Sequence, residues 1–344
     1  MSPGHVPKLP QPRGPISEQL LERLCGEPCS FTVSAHDSPD PLADEDLHLS
    51  LYVCYELHYR GFDEMSPAWE WEPSLIAVRG TLERAFEARL RAQIGPPPDE
   101  WAAEDMDLAL RAVEDAEEGP SVSRFIEAEA SVEQLREFVI HRSAYHLKEA
   151  DPHTWAIPRL FGRPKAAMVE VQTDEYGGGN VERVHAQLYA DVMDAVGLDS
   201  SYGGYLDRIP GVTLATVNLM SLCGLHRRLL GAIVGHLAYF EMTSSVPNRR
   251  YAAGLRRLGF DGEATVFFDE HVLADAVHQN IAVVDMAGGL ARQQPGLAAD
   301  VLWGARALAL LEARWASHVL GLWRAGASSL LPEGARLQPR PAAG

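Results

Sequence analysis

The stretch FFDEHVLADAVHQN, residues 267–280, decides the fold and indicates the kind of site it holds. His271, Asp275 and His278 are spaced by four and then three residues, so a helix would place all three side chains on one face. Most of the residues between them are apolar, which predicts that this face is buried. Because buried histidine and aspartate side chains need partners, and a metal ion satisfies them, the stretch predicts a helix that carries metal ligands.

Apolar residues recur at helical spacing along nearly the whole chain, and alternating β-branched runs are nearly absent. We therefore expect an all-α bundle of long antiparallel helices, whose centre can hold a cofactor. One predicted helix runs from about residue 165 to 196 and another from about 265 to 286. Pro210, Pro247 and Pro295 each stand where a helix should start, since a missing N–H costs least there.

The chain is expected to divide into two tails and one helical domain. Residues 1–15 are rich in proline and residues 327–344 carry no helical pattern, so both segments are predicted to be disordered. The domain between them, 16–326, consists of an N-terminal helical extension over 16–120 and a metal-binding core over 121–326.

Composition excludes several classes of partner. The chain has 344 residues, of which 46% are apolar and 23% charged, as in an ordinary globular protein. Its formal net charge is −18 and its basic residues form no cluster, which argues against nucleic acid and anionic membranes. There is no apolar run of about 18 residues that could span a bilayer. With only four cysteines, the sequence predicts a cytoplasmic protein. The remaining class of partner is a small-molecule substrate.

Two further groups of residues could complete a metal site. Glu182 and His185 form an E-x2-H pair, which on a helix presents one oxygen and one nitrogen to the same ion, although a single such pair is more often solvated. Glu149 ends another helical stretch and would add a carboxylate. The combined set has three histidines and three carboxylates, enough for two metals: Glu149, Glu182, His185, His271, Asp275 and His278. Such a mixture suits iron or manganese better than zinc.

Three segments together resemble a known family. HLKEADPHTWAIPRL (146–160), EVQTDEYGGGNVERVHAQLY (170–189) and FFDEHVLADAVHQNIA (267–282) resemble, in order and separation, the core-helix motifs of the haem-oxygenase-like di-iron oxidases, or iron-containing redox enzymes. The resemblance covers about residues 125–325. It implies a haem-oxygenase-like helical bundle with a di-metal site between three core helices, two Fe(II) ions without haem, and O2 as a co-substrate.

The resemblance also implies roles for particular residues. The six residues of the mixed set become metal ligands, and Glu175 becomes a seventh ligand with a catalytic role. Glu175 lies seven residues before Glu182, where the N-oxygenating members carry an additional carboxylate. Seven residues rise roughly 10 Å along a helix whereas a bimetal site is about 4 Å across, so both glutamates can reach it only if the helix is distorted. Gly177–Gly179 weaken the helix by roughly 1 kcal/mol each and permit that distortion.

The expected function is that of a non-haem di-iron oxygenase that oxidises a small nitrogen-containing metabolite, an amine or an amino-acid-like compound, in specialised metabolism. One alternative is a di-iron oxidase that desaturates or cleaves a C–C bond in an amino or fatty acid. Another is a non-catalytic metal-binding helical protein, and the fold alone is also compatible with a haem protein. A homodimer and a reductase or other external electron donor are compatible with the sequence.

Several polar residues near these motifs receive plainer interpretations. Asp174 and Tyr176 are candidates to support the ligands, with ordinary packing favoured for Tyr176. His146, three residues before Glu149, is not expected to be a ligand. His236 is interpreted as a hydrogen-bonded core histidine and Glu241 as a solvated or interhelical charge.

Overall fold

The fold is known from a computed structural model, which describes residues 6–33, 38–63, 65–96, 103–116 and 119–333, with only the backbone described at 275–277. Over these ranges the regular structure is helical throughout and includes no strand. The prediction of an all-α fold is therefore confirmed.

The described α-helices are joined by 3-10 turns and by loops of unequal length. In chain order they are α1 (Pro15–Leu24), α2 (Glu45–Glu56), α3 (Pro73–Ile94), α4 (Met106–Asp115), α5 (Val122–Ala128), α6 (Val132–His146), α7 (Asp151–Thr154), α8 (Gly162–Glu175), α9 (His185–Ala195), α10 (Gly211–Leu225), α11 (Leu230–Arg257), α12 (Glu263–Asn280), α13 (Gly288–Gln293) and α14 (Ala298–Arg324). A π-helical segment, Ile281–Ala287, joins α12 to α13. Helix α11 is central and packs against α5, α12 and α14.

The N-terminal helices share a hydrophobic core with the later ones. Leu20 of α1 and Phe86 of α3 belong to the same buried cluster as Leu214 of α10 and Leu308 of α14. The predicted extension over 16–120 therefore packs against the rest of the chain. Among the described residues, the helices lack the combination of length and apolar character needed to cross a bilayer.

The helix predicted over 165–196 is interrupted. Helix α8 ends at Glu175, two 3-10 turns follow, and α9 starts at His185. The cause is local, because Gly177, Gly178 and Gly179 all have positive φ angles, of 64°, 60° and 83°, which ordinary helical residues cannot adopt. A Cβ at Gly177 would lie 2.5 Å from the carbonyl carbon of Arg183, so the chain folds back on itself here. The glycines end the helix instead of merely weakening it.

The predicted helix starts at the three prolines agree with the structure at two positions and disagree at one. Pro210 is the N-cap of α10 and Pro295 opens a 3-10 turn just before α14, as predicted. The prediction for Pro247 is wrong, since this residue lies inside α11. An internal proline costs a helix about 3 kcal/mol, and the extensive packing of α11 against three neighbouring helices outweighs that cost.

The N-terminal tail is partly ordered. Arg13 is buried, its Nη1 donates to Glu45 Oε2 at 2.7 Å and its Nη2 donates to the Leu206 carbonyl at 2.6 Å. The prediction of disorder is therefore wrong for residues 6–15, because a buried arginine ties them to the domain, and residues 1–5 lie outside the described part.

The C-terminal tail also begins with an ordered stretch. Ser329 Oγ donates to Glu137 at 2.6 Å, and the Leu331 backbone N–H donates to the Arg208 carbonyl at 2.8 Å. These bonds contradict the predicted disorder over 327–333, and residues 334–344 lie outside the described part.

Candidate metal centre

Four buried side chains converge from four parts of the chain. Glu149 follows α6, Glu175 ends α8, His185 begins α9 and His271 lies within α12. Each offers one ligand atom, and these four atoms all lie within 4.8 Å of one another. The arrangement is a cluster of two carboxylates and two imidazoles that a single ion could hold together.

A second cluster adjoins the first. Glu175, Glu241 and His278 are all buried, and their ligand atoms also lie within 4.8 Å of one another. Glu175 thus belongs to both clusters. A carboxylate shared in this way can link two metal ions, which is the usual architecture of bimetal sites in helical bundles.

The backbone turn after α6 directs Glu149 inward. The next residue, Ala150, has a φ of 67°, the only positive value at a non-glycine residue in the described part of the chain. Such a conformation costs about 1–3 kcal/mol and persists only where its surroundings hold it. Here Gln172 Nε2, on α8, donates to the Ala150 carbonyl at 2.8 Å. Helix α8 therefore stabilises the turn that places the first carboxylate.

The electrostatic surroundings keep Glu149 ionised. His146 Nδ1 donates to Glu149 Oε1 at 3.0 Å, whereas Oε2 is buried with no hydrogen-bond partner. Burial alone would raise the pKa of Glu149, but His146 and His271 outweigh it and hold this pKa well below its usual range. A buried carboxylate with one unsatisfied oxygen is suited to binding a cation.

His271 is fixed in the orientation of a metal ligand. Its Nδ1 lies 2.7 Å from the Phe267 carbonyl one turn earlier, so Nδ1 carries a proton and donates it there. Its Nε2 lies 3.6 Å from Glu149 Oε1. In a neutral ring with the proton on Nδ1, Nε2 is the nitrogen that can bind a metal ion, so the residues fit one.

The other histidines each face a carboxylate. His185 Nδ1 lies 2.8 Å from Glu175 Oε2, close enough for an ion pair but not aligned as a hydrogen bond. Burial lowers the pKa of His185, yet Glu175 outweighs this effect and raises it. His278 lies between Asp174, 2.8 Å from Nε2, and Glu241, 3.5 Å from Nδ1. Burial acts to lower the pKa of His278, but Glu241 and Asp174 raise it to about 9. Positive charge is thus favoured wherever these clusters would hold a metal.

One predicted ligand, Glu182, is not brought into the clusters. Glu182 is exposed on the 3-10 turn Val181–Arg183, where its backbone N–H bonds Asn180. The fold-back at the glycines turns this residue outward, so the predicted helical E-x2-H pair is wrong for this conformation. The side chain of Asp275 lies outside the described residues.

Glu241 was not predicted as a candidate ligand; of its two interpretations, an interhelical charge agrees with its contact to His278 on α12, and a solvated charge does not. Only 4% of it is exposed, and it contributes to the second cluster from the middle of α11. A usable signal was present: Glu241 is the single acidic residue in the apolar stretch GAIVGHLAYFEM, residues 231–242. A lone carboxylate in a largely apolar segment needs a buried partner.

The supporting residues lie around the clusters. Asp174 contacts His278, as described above, while the Tyr176 hydroxyl donates to Asp151 at 2.8 Å on the exposed side. His236 is buried and pairs with His153 at 3.0 Å, the hydrogen-bonded core histidine that the sequence predicted.

Two cavities meet at His271. The smaller, with a volume of about 10 Å³, lies among the cluster residues and has room for about one water molecule. The larger, about 850 Å³, has aromatic walls and reaches both His146 and His271. Phe240, Ser244 and His271 line both cavities, so the larger one gives a molecule access to the metal centre.

The fold is all-α over the described residues, and it holds a buried cluster of histidines and carboxylates that could bind a metal ion. The sequence model of the iron-containing redox enzymes matches residues 136–313, just over half of the chain, and the protein belongs to this family. The match confirms the family resemblance, and the all-α architecture is consistent with a haem-oxygenase-like fold.

One curated relative is nitrosourea synthase from Streptomyces achromogenes subsp. streptozoticus. It is 26% identical over 215 residues, which make up 60% of this chain and 46% of the relative. The chain thus spans less than half the length of that relative.

Proposed function

We propose that this protein is a non-haem di-iron oxygenase that uses O2 to oxidise a nitrogen atom of a small amine or amino-acid-like metabolite. The observation that carries the proposal is the pair of buried clusters that share Glu175. The name of the relative supports the choice of reaction, since a nitrosourea contains an oxidised nitrogen.

The proposed ligands are the five buried cluster residues that the family motifs also include, together with Glu182, which the structure leaves exposed, and Asp275, whose side chain lies outside the described residues. They are Glu149, Glu175, His185, His271 and His278, with Glu182 and Asp275. Two Fe(II) ions, when bound, supply the binding and reduction of O2, with electrons from an external donor or reductase. The protein positions the ligand atoms, and the small cavity at the clusters leaves little room for water.

The test uses the purified full chain without oxygen. Titration with Fe(II) is expected to saturate at about two irons per chain, and admission of O2 with a suitable amine should consume oxygen and yield a hydroxylamine, nitroso or nitro product by mass spectrometry. An alkene or a one-carbon fragment would instead establish the desaturating or cleaving reaction. Saturation below about two irons, or a Soret band, would contradict the di-iron assignment.

Glu182 provides a specific prediction about the iron-bound state. Its carboxylate is exposed, so the Glu182→Gln variant should unfold at the same temperature as the wild type when metal-free. If Glu182 turns inward to complete the second iron site, the same variant should bind about one iron instead of about two. Anaerobic Fe(II) titration and thermal unfolding of metal-free protein measure the two effects.

The neighbouring Glu270 is a matched control. It is partly exposed and pairs with Arg183 at 3.0 Å, on the same surface. Glu270→Gln should leave the iron stoichiometry at about two. Full iron binding by Glu182→Gln would contradict the assignment of Glu182 as an iron ligand.

A further inference from the structure

A buried lysine stands beside the first carboxylate of the metal centre. Lys148 directly precedes Glu149 in the chain and is itself buried. Its ammonium donates to Glu56 Oε2, on α2, at 2.8 Å, and the two side chains are only 1% and 0% exposed. Lysine and glutamate are almost never buried this deeply unless they are paired. This ion pair therefore joins the N-terminal extension to the neighbour of a proposed metal ligand.

Aromatic rings enclose the ammonium group. The Nζ of Lys148 lies 4.5 Å from the ring centroid of Tyr52 and 4.6 Å from that of Tyr59. The face of an aromatic ring attracts a cation at such distances, and more strongly where water is excluded. The Tyr59 hydroxyl in turn lies 3.0 Å from Ser221 Oγ, on α10. The lysine head group is thus confined by a carboxylate and two rings.

The carboxylate of Glu56 is held as firmly as the lysine. Its Oε1 accepts from the Tyr202 hydroxyl at 2.7 Å and from the Arg60 backbone N–H at 3.3 Å. Since Oε2 accepts from Lys148, both oxygens have partners. A buried polar network whose members are all satisfied is rigid and holds one arrangement. Glu56 is therefore a fixed point to which the chain before Glu149 is attached.

The backbone beside this pair is a strained turn that is held from two sides. Ala150, two residues after Lys148, has the positive φ of 67° described above. On one side Gln172 of α8 donates to the Ala150 carbonyl, and on the other side Lys148 is tied to Glu56 of α2. A strained conformation persists only where its surroundings hold it. The α8 contact accounts for one of these restraints, and the buried ion pair provides the other.

We infer that Lys148 and Glu56 are positioning residues for Glu149: their ion pair fixes the turn after α6, so that the Glu149 carboxylate stands in the first cluster before a metal arrives. Glu149 Oε2 is buried without a hydrogen-bond partner, so the turn must hold it there. Ligand atoms need to be held to within about 0.5 Å of their working positions.

This inference rests on the proposed function for the identity of the metal, whereas the fixed turn itself needs no iron. It also gives the N-terminal extension a role in the metal centre, although none of its described residues belongs to the two clusters.

The decisive variant removes both charges and keeps the volume. Lys148→Met alone would leave Glu56 buried and unpaired, and that change can unfold the protein. In Lys148→Met/Glu56→Gln the amide oxygen can still accept from Tyr202. Because replacement of a buried ion pair by neutral side chains is often close to neutral for stability, we expect wild-type helical circular dichroism and an unfolding temperature within about 5 °C of the wild type.

Two measurements test the positioning role. In metal-free protein, hydrogen exchange followed by mass spectrometry should be at least about tenfold faster for peptides that cover 147–151 in the double variant, and unchanged in α11. In anaerobic Fe(II) titration, one of the two irons should bind about 10–100-fold more weakly than in the wild type, and the other with unchanged affinity.

A second buried pair supplies the matched control. Arg228, on the 3-10 turn before α11, donates through Nη1 to Glu87 Oε1, on α3, at 2.8 Å. This pair also joins the N-terminal extension to a later part of the chain, but neither member belongs to a cluster or to the turn after α6. Arg228→Met/Glu87→Gln should therefore bind both irons with wild-type affinity and leave exchange over 147–151 unchanged.

A milder variant serves if the double variant does not fold. Tyr202→Phe removes only the hydroxyl that donates to Glu56, and it should raise exchange over 147–151 and weaken one iron in the same direction by a smaller factor. Wild-type behaviour of Tyr202→Phe in both measurements would then count against the inference.

The outcomes separate this inference from the proposed function. If both irons bind to a folded double variant with wild-type affinity, the pair only joins α2 to the turn, and the inference is overturned. Unchanged exchange over 147–151 in metal-free protein overturns it as well, whatever metal the wild type binds. Saturation of the wild type below about two irons would instead refute the proposed di-iron site, while the exchange data would still decide whether the ion pair fixes the turn.

Discussion

His271→Ala is expected to abolish iron-dependent oxygen consumption and to reduce iron binding to one ion or fewer per chain. The imidazole Nε2 faces Glu149 at 3.6 Å, and the ring lies 4.4 Å from that of His185, so its loss opens the first cluster. Changes to residues that only support a metal ligand cost about 10–100-fold in affinity, and loss of a ligand should cost at least the upper value. Anaerobic Fe(II) titration and an oxygen electrode measure both effects.

His48→Gln is the matched control for this prediction. His48 is also a fully buried helical histidine, but it lies on α2 and bonds Asn218 instead of a cluster residue. This variant should retain about two irons and its oxygen consumption, although its unfolding temperature will fall.

Wild-type protein should also gain thermal stability from Fe(II), because a ligand that binds only the folded state stabilises it, and His271→Ala should lose most of that gain. Retention of two irons by His271→Ala would contradict the assignment.

The histidines of α12 show why part of this site could be predicted from the sequence. His271 and His278 are seven residues apart, close to two helical turns, so a continuous helix brings both to the same side. The structure has that helix, and both rings reach the buried clusters. A prediction of this kind needs only the local period of the helix.

The positions of Glu182 and Glu241 could not be predicted in this way. Helical periodicity places Glu182 only if the helix continues through Gly177–Gly179, and their positive φ angles depend on how the chain packs against Arg183. Glu241 is buried because α12 packs over α11, a contact between distant parts of the chain. Both cases depend on tertiary structure, which a single helix pattern does not record.

Gly235→Ala is expected to be strongly destabilising. A Cβ at Gly235, on α11, would overlap the Val301 carbonyl oxygen on α14, and a Cβ at Gly304, on α14, would overlap the Ala232 carbonyl oxygen on α11. The two long helices therefore cross with their backbones in direct contact. Because backbone atoms cannot move aside as a flexible side chain can, the methyl group must push the helices apart. We expect a loss of about 3 kcal/mol or more, and an unfolding temperature lower by roughly 5 °C or more.

Gly321→Ala on α14 separates this effect from helix propensity. A Cβ at Gly321 would meet nothing within 4 Å, so alanine should stabilise the helix by up to about 1 kcal/mol. The crossing also sets the position of α11, which carries Glu241, relative to α14. Gly235→Ala should therefore weaken iron binding at temperatures where it is still folded, whereas Gly321→Ala should leave iron binding unchanged. If Gly235→Ala unfolds at the wild-type temperature, α11 and α14 do not cross as closely as the structure shows.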